Sequence, residues 1–231
     1  MTVLPRWIPT GCSSLDRALE GGLPSGQISL LYGEAETGKT TLGMLCAVNS
    51  ARMGLKTFYI DSDGTFSPER LSQVSSKDFE EVSESVILVE PVTFEEQVKI
   101  VDNLEKYVSK RFGLIIFDTV TSLYRSELLD KKKTFNLNRE LNRQVATLSQ
   151  IAKTLDISIL LISQVRSVPN EADFSPVAPR VLKFWSDIVV SLTKVGRKNM
   201  VKASVEKSGV KETRLAFFLV IDEDGLHDYN R

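Results

Sequence analysis

The sequence predicts an α/β domain with a mostly parallel central sheet, helices on both faces and an antiparallel C-terminal extension. Short apolar runs alternate with polar segments of helical periodicity, which predicts strands connected by helices. Runs such as LIIFD (114–118) and ISILLIS (157–163) lack in/out alternation, as expected for strands covered on both faces. After residue 186 the strand-like runs follow one another across turns without helical segments, which predicts the antiparallel part.

The individual elements follow from local signals. Residues 1–26 are expected to form an extended lead-in and a short helix, which Ser13 or Ser14 can cap and which Gly21-Gly22 ends. The core strands are expected at 27–32, 56–60, 86–90, 113–118 and 157–163. Helices are expected from the phosphate-loop motif to Gly54 and at 67–74, 94–110 and 136–155. The last strand-like runs are DIVVSLTKV, NMVKASVEK and TRLAFFLVI, with turns at Gly196, Ser208-Gly209 and Asp224-Gly225.

Length and composition are those of one globular domain spanning residues 1–231. The net charge of −1 gives no general attraction to polyanions, so nucleic-acid binding would require a local basic surface. Two cysteines, Cys12 and Cys46, do not indicate a disulfide framework. No apolar run approaches the roughly 20 residues that span a bilayer, and the N-terminus lacks a signal pattern. We therefore expect a cytoplasmic protein without a membrane partner.

The most specific motif is GEAETGKTT, a G-x-x-x-x-G-K-[ST] sequence between a predicted strand and a predicted helix. In that context backbone N–H groups and the helix N-terminus bind phosphate. Lys39 is expected to neutralise β/γ oxygens, and the Thr40 hydroxyl to bind Mg²⁺. A glycine turn formed by chance does not explain the agreement of motif and context. The predicted nucleotide ligands here are Gly33, Glu34, Ala35, Glu36, Thr37, Gly38, Lys39, Thr40 and Thr41.

Polar side chains follow three other predicted strands. Asp118 ends LIIFD beside the phosphate loop, where a carboxylate orders Mg²⁺ and its water, although it could also cap the next turn. Asp61 and Asp63 follow FYI; one of them could orient the attacking water, or both could belong to an ordinary turn. Gln164 suits a γ-phosphate sensor or simply opens a surface loop.

These parts, in this order, resemble the RecA/RadA recombinase superfamily, and within it the short archaeal paralogues of RadB type. The carrying segments are PTGCSSLDRALEGGLPSGQISLLYGEAETGKTTL, FYIDSDGTFSPERL, LIIFDTVTSLYR and ILLISQV. The resemblance implies a RecA-type P-loop NTPase core with ATP and Mg²⁺ as cofactors. It implies that Asp118 is the Walker B carboxylate, that Asp63 stands for the catalytic glutamate and that Arg70 lies along the adenine. Gln164 would couple the γ-phosphate to the DNA loops.

The sequence also departs from the family pattern. Asp63 is one methylene shorter than glutamate, so we expect slow hydrolysis and better-preserved binding. An N-terminal helix-hairpin-helix domain is not expected ahead of the first core strand, and neither is the phenylalanine-based tether between filament subunits, which leaves only weak self-association. No glycine occurs between Gly113 and Gly196, and the second loop contains prolines instead. That stiffness argues against the family's extension of DNA.

The resemblance places two DNA-contacting loops at about 125–135 and 165–183. Basic side chains interleaved with aromatic rings suit single-stranded DNA, since cations follow phosphates and rings stack on bases. A solvated lysine run and aromatic residues in a core or subunit contact are the alternatives. The predicted DNA-binding residues are Arg125, Lys131, Lys132, Lys133, Arg139, Arg166, Arg180 and Lys183, accompanied by Phe135, Arg143, Phe174 and Trp185.

Three C-terminal side chains are less informative. Lys202 and Lys207 could reach the ATP of a neighbouring subunit or protect an exposed strand edge. His227 is expected at the surface. The combined prediction is an ATP-binding, slowly hydrolysing recombinase paralogue, a weak ATPase whose DNA dependence stays open. It would bind single-stranded DNA and assist a RadA-type recombinase in homologous-recombination repair at the nucleoid. The alternatives are a KaiC-like regulatory ATPase acting without DNA and a non-hydrolysing, ATP-bound adaptor.

Overall fold

The computed structural model describes residues 6–128, 134–166, 175–196, 199–209 and 211–229, with the main chain alone at Arg166 and at 211–214. The helices are α1 (Ser13–Ala18), α2 (Lys39–Arg52), α3 (Pro68–Ser75), α4 (Phe79–Ser85), α5 (Phe94–Tyr107), α6 (Ser122–Glu127), α7 (Thr134–Leu155) and α8 (Pro179–Trp185). The strands are β1 (Trp7–Ile8), β2 (Leu23–Pro24), β3 (Ile28–Gly33), β4 (Lys56–Asp61), β5 (Val86–Val89), β6 (Phe112–Asp118), β7 (Ser158–Arg166), β8 (Ser175–Pro176), β9 (Ile188–Lys194), β10 (Met200–Ser208), β11 (Lys211–Asp222) and β12 (Gly225–Asp228).

The main sheet has the order β12-β11-β10-β9-β3-β7-β6-β4-β5, with β8 paired antiparallel to β7. The six strands from β9 to β5 are parallel, whereas β10, β11 and β12 are antiparallel to their neighbours. Strands β1 and β2 form a separate antiparallel pair. The predicted fold class, a mostly parallel sheet with a C-terminal antiparallel extension, is confirmed.

The antiparallel extension differs from the prediction at both of its ends. The run DIVVSLTKV was expected in the extension, but as β9 it is parallel to β3. Helix α8 precedes it and provides the crossover that a parallel neighbour requires, and the sequence pattern did not predict this helix. At the other end, the Asp224-Gly225 turn leads into a fourth strand, β12. Helices α4 and α6 were not predicted either.

Apolar side chains cover both faces of the sheet. Every residue of β3 and β6 is buried, which agrees with the lack of alternation in their sequences. Helices α2, α3 and α4 pack on one face, and α5, α7 and α8 on the other. Helix α7 buries Leu137, Leu141, Val145 and Leu148, the recurring stripe that its periodicity predicts.

The cap of α1 is not the predicted serine. Cys12 is the N-cap residue and makes no side-chain capping bond, while Ser13 is already helical. The Ser14 N–H instead donates to the two carboxylate oxygens of Asp228, at 3.0 and 3.1 Å. A carboxylate at a helix N-terminus meets unpaired N–H groups and the favourable end of the helix dipole. The end of the described chain therefore caps its first helix.

The carboxyl ends of four parallel strands bring the predicted site residues to one edge of the sheet. Gly33 on β3 lies opposite Gln164 on β7, and Asp118 on β6 lies opposite Asp61 on β4. Asp118 also pairs with Ile162 of β7, the strand that carries Gln164, so the two pairs lie at the same end of adjacent strands. Ligands of open α/β sheets bind in the crevice outside such strand ends.

Candidate nucleotide site and nucleic-acid surface

The loop between β3 and α2 has the backbone of a phosphate-binding loop. Glu36 and Gly38 have positive φ angles of 61° and 83°, and α2 begins at Lys39. Successive N–H groups in such turns, followed by a helix N-terminus, form a concave anion site. A Cβ at Gly33 would lie 2.2 Å from the Leu192 carbonyl oxygen, so that position requires glycine.

The Lys39 ammonium is buried within this loop. It donates a hydrogen bond to the Glu34 carbonyl oxygen. Burial lowers the pKa of Lys39, and the negative charges of Asp118 and Asp63 act in the opposite direction. A cation held away from water beside a ring of N–H donors suits a phosphate oxygen.

Asp118, at the end of β6, has one paired and one unpaired oxygen. Tyr59 donates its hydroxyl to Oδ2 at 2.8 Å, whereas the buried Oδ1 has no hydrogen-bond partner in the structure as described. Burial raises the pKa of Asp118 to about 6, while hydrogen bonds with Thr40 and Tyr59 act to lower it. A buried oxygen without a partner, next to a hydroxyl and a phosphate loop, fits Mg²⁺, which prefers hard oxygen ligands.

Within the described ranges, no cluster of three or more His, Cys, Asp or Glu side chains could hold a metal ion.

The two carboxylates at the carboxyl end of β4, Asp61 and Asp63, have different surroundings. Asp61 is buried, and its oxygens accept the N–H groups of Asp63 at 3.1 Å and Phe66 at 2.7 Å. It therefore stabilises the turn. Asp63 Oδ2 instead accepts the Gln164 amide at 2.9 Å and the Thr119 hydroxyl at 3.4 Å.

Gln164 links Asp63 to helix α6. Its Oε1 accepts a hydrogen bond from Arg125 Nη1 at 2.9 Å, while its Nε2 donates to Asp63. The three side chains line a cavity of about 280 Å³ together with Ser122 and Ser126. The structure thus connects a carboxylate near the phosphate loop with the start of the first predicted DNA loop.

A larger open cleft, of about 1060 Å³, extends from the phosphate loop. Arg70 lies at its edge and donates from its guanidinium to the carbonyl oxygens of Asp222 and Glu223, each at 2.7 Å. Sequence reasoning missed the C-terminal residues that line the cleft, because no motif marks them. They are Lys194, Val195, Gly196, Asn199, Met200, Val201, Ile221, Asp222 and Glu223.

The predicted DNA-binding residues fall into three groups. Lys131, Lys132, Lys133, Phe174 and the side chain of Arg166 lie outside what the structure describes. Others have partners within the chain: Arg125 with Gln164, Arg143 with Asp102 and Glu140, and Lys183 with Glu206 at 2.8 Å. Lys183 also lies over the Tyr32 ring. Arg139 and Arg180 are exposed, and neither has a hydrogen bond or ion pair with another residue that the structure describes.

Helices α7 and α8 each carry a strongly exposed aromatic side chain, Phe135 and Phe184, and the two are together called the aromatic surface here. Phe135 is 76% exposed and Phe184 is 74% exposed. Phe184 packs edge-on against Trp185, whose indole N–H donates to Asn142 at 2.9 Å. Arg180 precedes Phe184 by four residues, so the two share a helix face. Sequence reasoning missed Phe184, although its spacing from Arg180 is a signal that it could have used.

The remaining C-terminal side chains are also accounted for. Lys207 donates to the Ser186 carbonyl oxygen, so its ammonium is held within the chain. Lys202 is exposed on β10. His227 is partly exposed and lies 3.0 Å from an Asp222 oxygen, which agrees with the predicted surface position.

Over the described ranges, no helix has both the length and the apolar character to span a membrane.

The phosphate loop, the carboxylates at adjacent strand ends and the antiparallel extension define a P-loop NTPase fold of RecA type. Comparison with known families gives the same result: residues 6–229 match Rad51, and the chain belongs to the Rad51 family.

Among individual proteins, the chain is 34% identical over 224 residues to the DNA repair and recombination protein RadB of Thermococcus onnurineus, covering 96% of this chain and 97% of that one. It is 31% identical to RadB of Methanococcoides burtonii over 196 residues, covering 85% and 87%. A crystal structure of the RadB recombinase superposes with a TM-score of 0.84 at 31% identity, covering 96% of this chain and 100% of that chain. The predicted resemblance to RadB-type paralogues is confirmed.

Proposed function

We propose that this chain is an ATP-dependent accessory protein of homologous recombination. It binds Mg·ATP, hydrolyses it slowly, binds single-stranded DNA and assists a RadA-type recombinase at the nucleoid. The observation that carries the nucleotide part is the convergence of Lys39, Thr40, Asp118 and Asp63 on one edge of the sheet. The RadB relatives, named as DNA repair and recombination proteins, support the recombination part.

In the proposed reaction, the loop N–H groups and Lys39 would bind the phosphates, Thr40 and Asp118 would hold Mg²⁺, and Arg70 would lie beside the base. Bound Mg²⁺ would supply positive charge at the β- and γ-phosphates. Asp63 orients the attacking water and accepts its proton. The Gln164 amide occupies one oxygen of Asp63, and the aspartate is shorter than glutamate. Both features support slow turnover.

Nucleotide turnover tests this assignment. We expect Lys39→Ala to abolish ATP binding or hydrolysis in a phosphate-release assay. Asp63→Glu should raise the rate if the reach of the carboxylate limits it. A slower Asp63→Glu variant that still binds ATP would show that the site is fitted to aspartate and would contradict this explanation of slow turnover.

The aromatic surface supports the DNA part of the proposal. Phe135 and Phe184 offer stacking faces, while the exposed guanidinium groups of Arg139 and Arg180 suit phosphates. Each base stacked on an aromatic ring contributes roughly 1–3 kcal/mol. Edge contact with Trp185 restrains Phe184, which lowers the entropy lost on binding.

Fluorescence anisotropy with a labelled single-stranded oligonucleotide tests this surface, with and without Mg·ATP, across a salt series. We expect Phe184→Ala and Arg180→Ala to weaken binding and Arg180→Ala also to reduce its salt dependence. Tyr107→Ala is the matched control, since Tyr107 is 58% exposed but lies on α5. If binding survives both substitutions while sedimentation shows loss of self-association, the aromatic surface is a contact between copies instead.

The accessory role has its own test. We expect the protein to change the rate of strand exchange by a RadA-type recombinase and to form a complex with it that size-exclusion chromatography detects. Joint molecules formed by this chain alone would contradict the accessory role. If DNA does not change the rate of ATP hydrolysis while the chain still binds its protein partner, the KaiC-like alternative is favoured.

A further inference from the structure

The phosphate loop carries two acidic side chains, Glu34 and Glu36, close to where a triphosphate would lie. Both are held by Lys194, at the carboxyl end of β9. The Lys194 N–H donates to Glu34 Oε2 at 3.0 Å, and its ammonium contacts Glu36 Oε2 at 2.8 Å. The contact with Glu34 fixes the main chain of β9 beside the loop.

The Lys194 ammonium belongs to the nucleotide cleft. Lys194 lines the cleft together with Lys39. Burial is the main cause of the lowered pKa of Lys39, and the positive charge of Lys194 adds a smaller contribution in the same direction. Lys194 therefore reaches the same space as the lysine of the phosphate-loop motif, from a strand about 155 residues away in the sequence.

The formal charges of the side chains that line the cleft balance without a ligand. Three carboxylate residues, Glu36, Asp222 and Glu223, face three cationic residues, Lys39, Arg70 and Lys194. Removing Lys194 would leave an excess of negative charge in a cleft meant for a polyanion. Lys194, together with Lys39 and Arg70, thus keeps the lining of the cleft from being net negative before a polyanion binds.

The ion pair between Lys194 and Glu36 is suited to exchange. The two side chains are 48% and 84% exposed, and exposed ion pairs contribute little to stability because water screens them. A phosphate carries more charge than a carboxylate and forms stronger charge-assisted hydrogen bonds. The flexible stem of lysine allows its ammonium to move while the main chain stays anchored to Glu34.

We propose that Lys194 is a second phosphate-binding cation of this site, held by Glu36 until the nucleotide replaces that carboxylate. The inference rests on the proposed binding of ATP and adds a ligand to it that lies outside the phosphate-loop motif. Affinity should then depend on Lys194 more strongly for ATP than for ADP, and hardly at all for AMP.

A double-mutant cycle tests the proposal by calorimetric titration of Mg·ATP into the full chain. Lys194→Ala should weaken ATP binding about tenfold, the size of one hydrogen bond to a charged group. The decisive comparison is Lys194→Ala in the Glu36→Gln background. If Lys194 binds phosphate, the loss persists there. If it only neutralises Glu36, the loss disappears, which would overturn the proposal.

Further measurements distinguish other causes. Lys153→Ala removes an equal charge from the exposed face of α7, and an equal loss of affinity in that variant would show a general charge effect and overturn the proposal. Equal losses for ATP and AMP would do the same. Lys194→Gln keeps most of the stem if the alanine variant is unstable. Absence of ATP binding by the unaltered chain would refute the proposed function itself, whereas normal binding that Lys194→Ala leaves unchanged would refute this inference alone.

Discussion

Replacing Asp118 by asparagine should stabilise the nucleotide-free protein while removing a ligand of the proposed Mg²⁺ site. The carboxylate is buried, and burial raises its pKa from 3.8 to about 6. Above that pH the folded protein carries a desolvated charge with one unpaired oxygen. Asparagine is uncharged and still offers one oxygen to the Tyr59 hydroxyl.

The magnitude follows from the two pKa values. The difference between 3.8 and about 6 corresponds to about 3 kcal/mol at 1.36 kcal/mol per pKa unit. Because the folded-state pKa is the higher one, the folded protein binds more protons in this window. The contribution of Asp118 to the free energy of unfolding is therefore most favourable below pH 3.8 and is lost as the pH rises through 6. The charge costs about 3 kcal/mol at pH 7.5 and about half that at pH 5. The unpaired amide nitrogen offsets part of the gain, so we expect Asp118→Asn to stabilise by about 1–3 kcal/mol at pH 7.5.

Urea denaturation of the nucleotide-free protein at pH 7.5 and pH 5 measures this effect. Asp61→Asn is the matched control, because both Asp61 oxygens accept backbone N–H groups and an amide offers only one acceptor. That variant should lose about 1–3 kcal/mol. An Asp118→Asn variant that is destabilised at pH 7.5, or whose stability difference from the unaltered chain does not shrink at pH 5, would refute the reasoning.

Two more substitutions test the packing around the site. Tyr59→Phe removes the hydroxyl that donates to Asp118. Urea denaturation should show a free energy of unfolding lower by about 1–3 kcal/mol at pH 7.5, and by less at pH 5. Equal losses at both pH values would contradict this explanation. Gly33→Ala would place a methyl group 2.2 Å from the Leu192 carbonyl oxygen and should greatly lower the melting temperature. Gly196→Ala has open space and is the control, so similar melting temperatures for the two variants would count against the predicted clash.

The sequence predicted the parallel core well because its signals are local. Strands buried on both faces need continuous apolar runs, and long helices need a recurring apolar stripe, so β6 and α7 were recognisable from a few residues each. Helix α8 was missed because its seven residues start at a proline in a segment with aromatic residues and no stripe. Without it, β9 could not be recognised as parallel.

In the candidate site, too, features with a local sequence signal were predictable and contacts between distant residues were not. The phosphate loop was predictable because its glycines and its Lys-Thr pair serve a backbone shape that few sequences provide. The different surroundings of Asp61 and Asp63 were not predictable, since both residues lie at the end of the same strand. Only the positions of Phe66 and Gln164 separate a carboxylate that holds a turn from one that lies beside the site.

The sequence alone therefore determined the core strands with the long helices between them, the phosphate loop and the resemblance to the recombinase superfamily, all of which depend on neighbouring residues. Tertiary structure decided which distant side chains meet. It paired Lys183 with Glu206, where the sequence pattern predicted DNA binding, and it brought Lys194 to a loop about 160 residues earlier. Strand order sets such contacts, and local periodicity does not encode strand order.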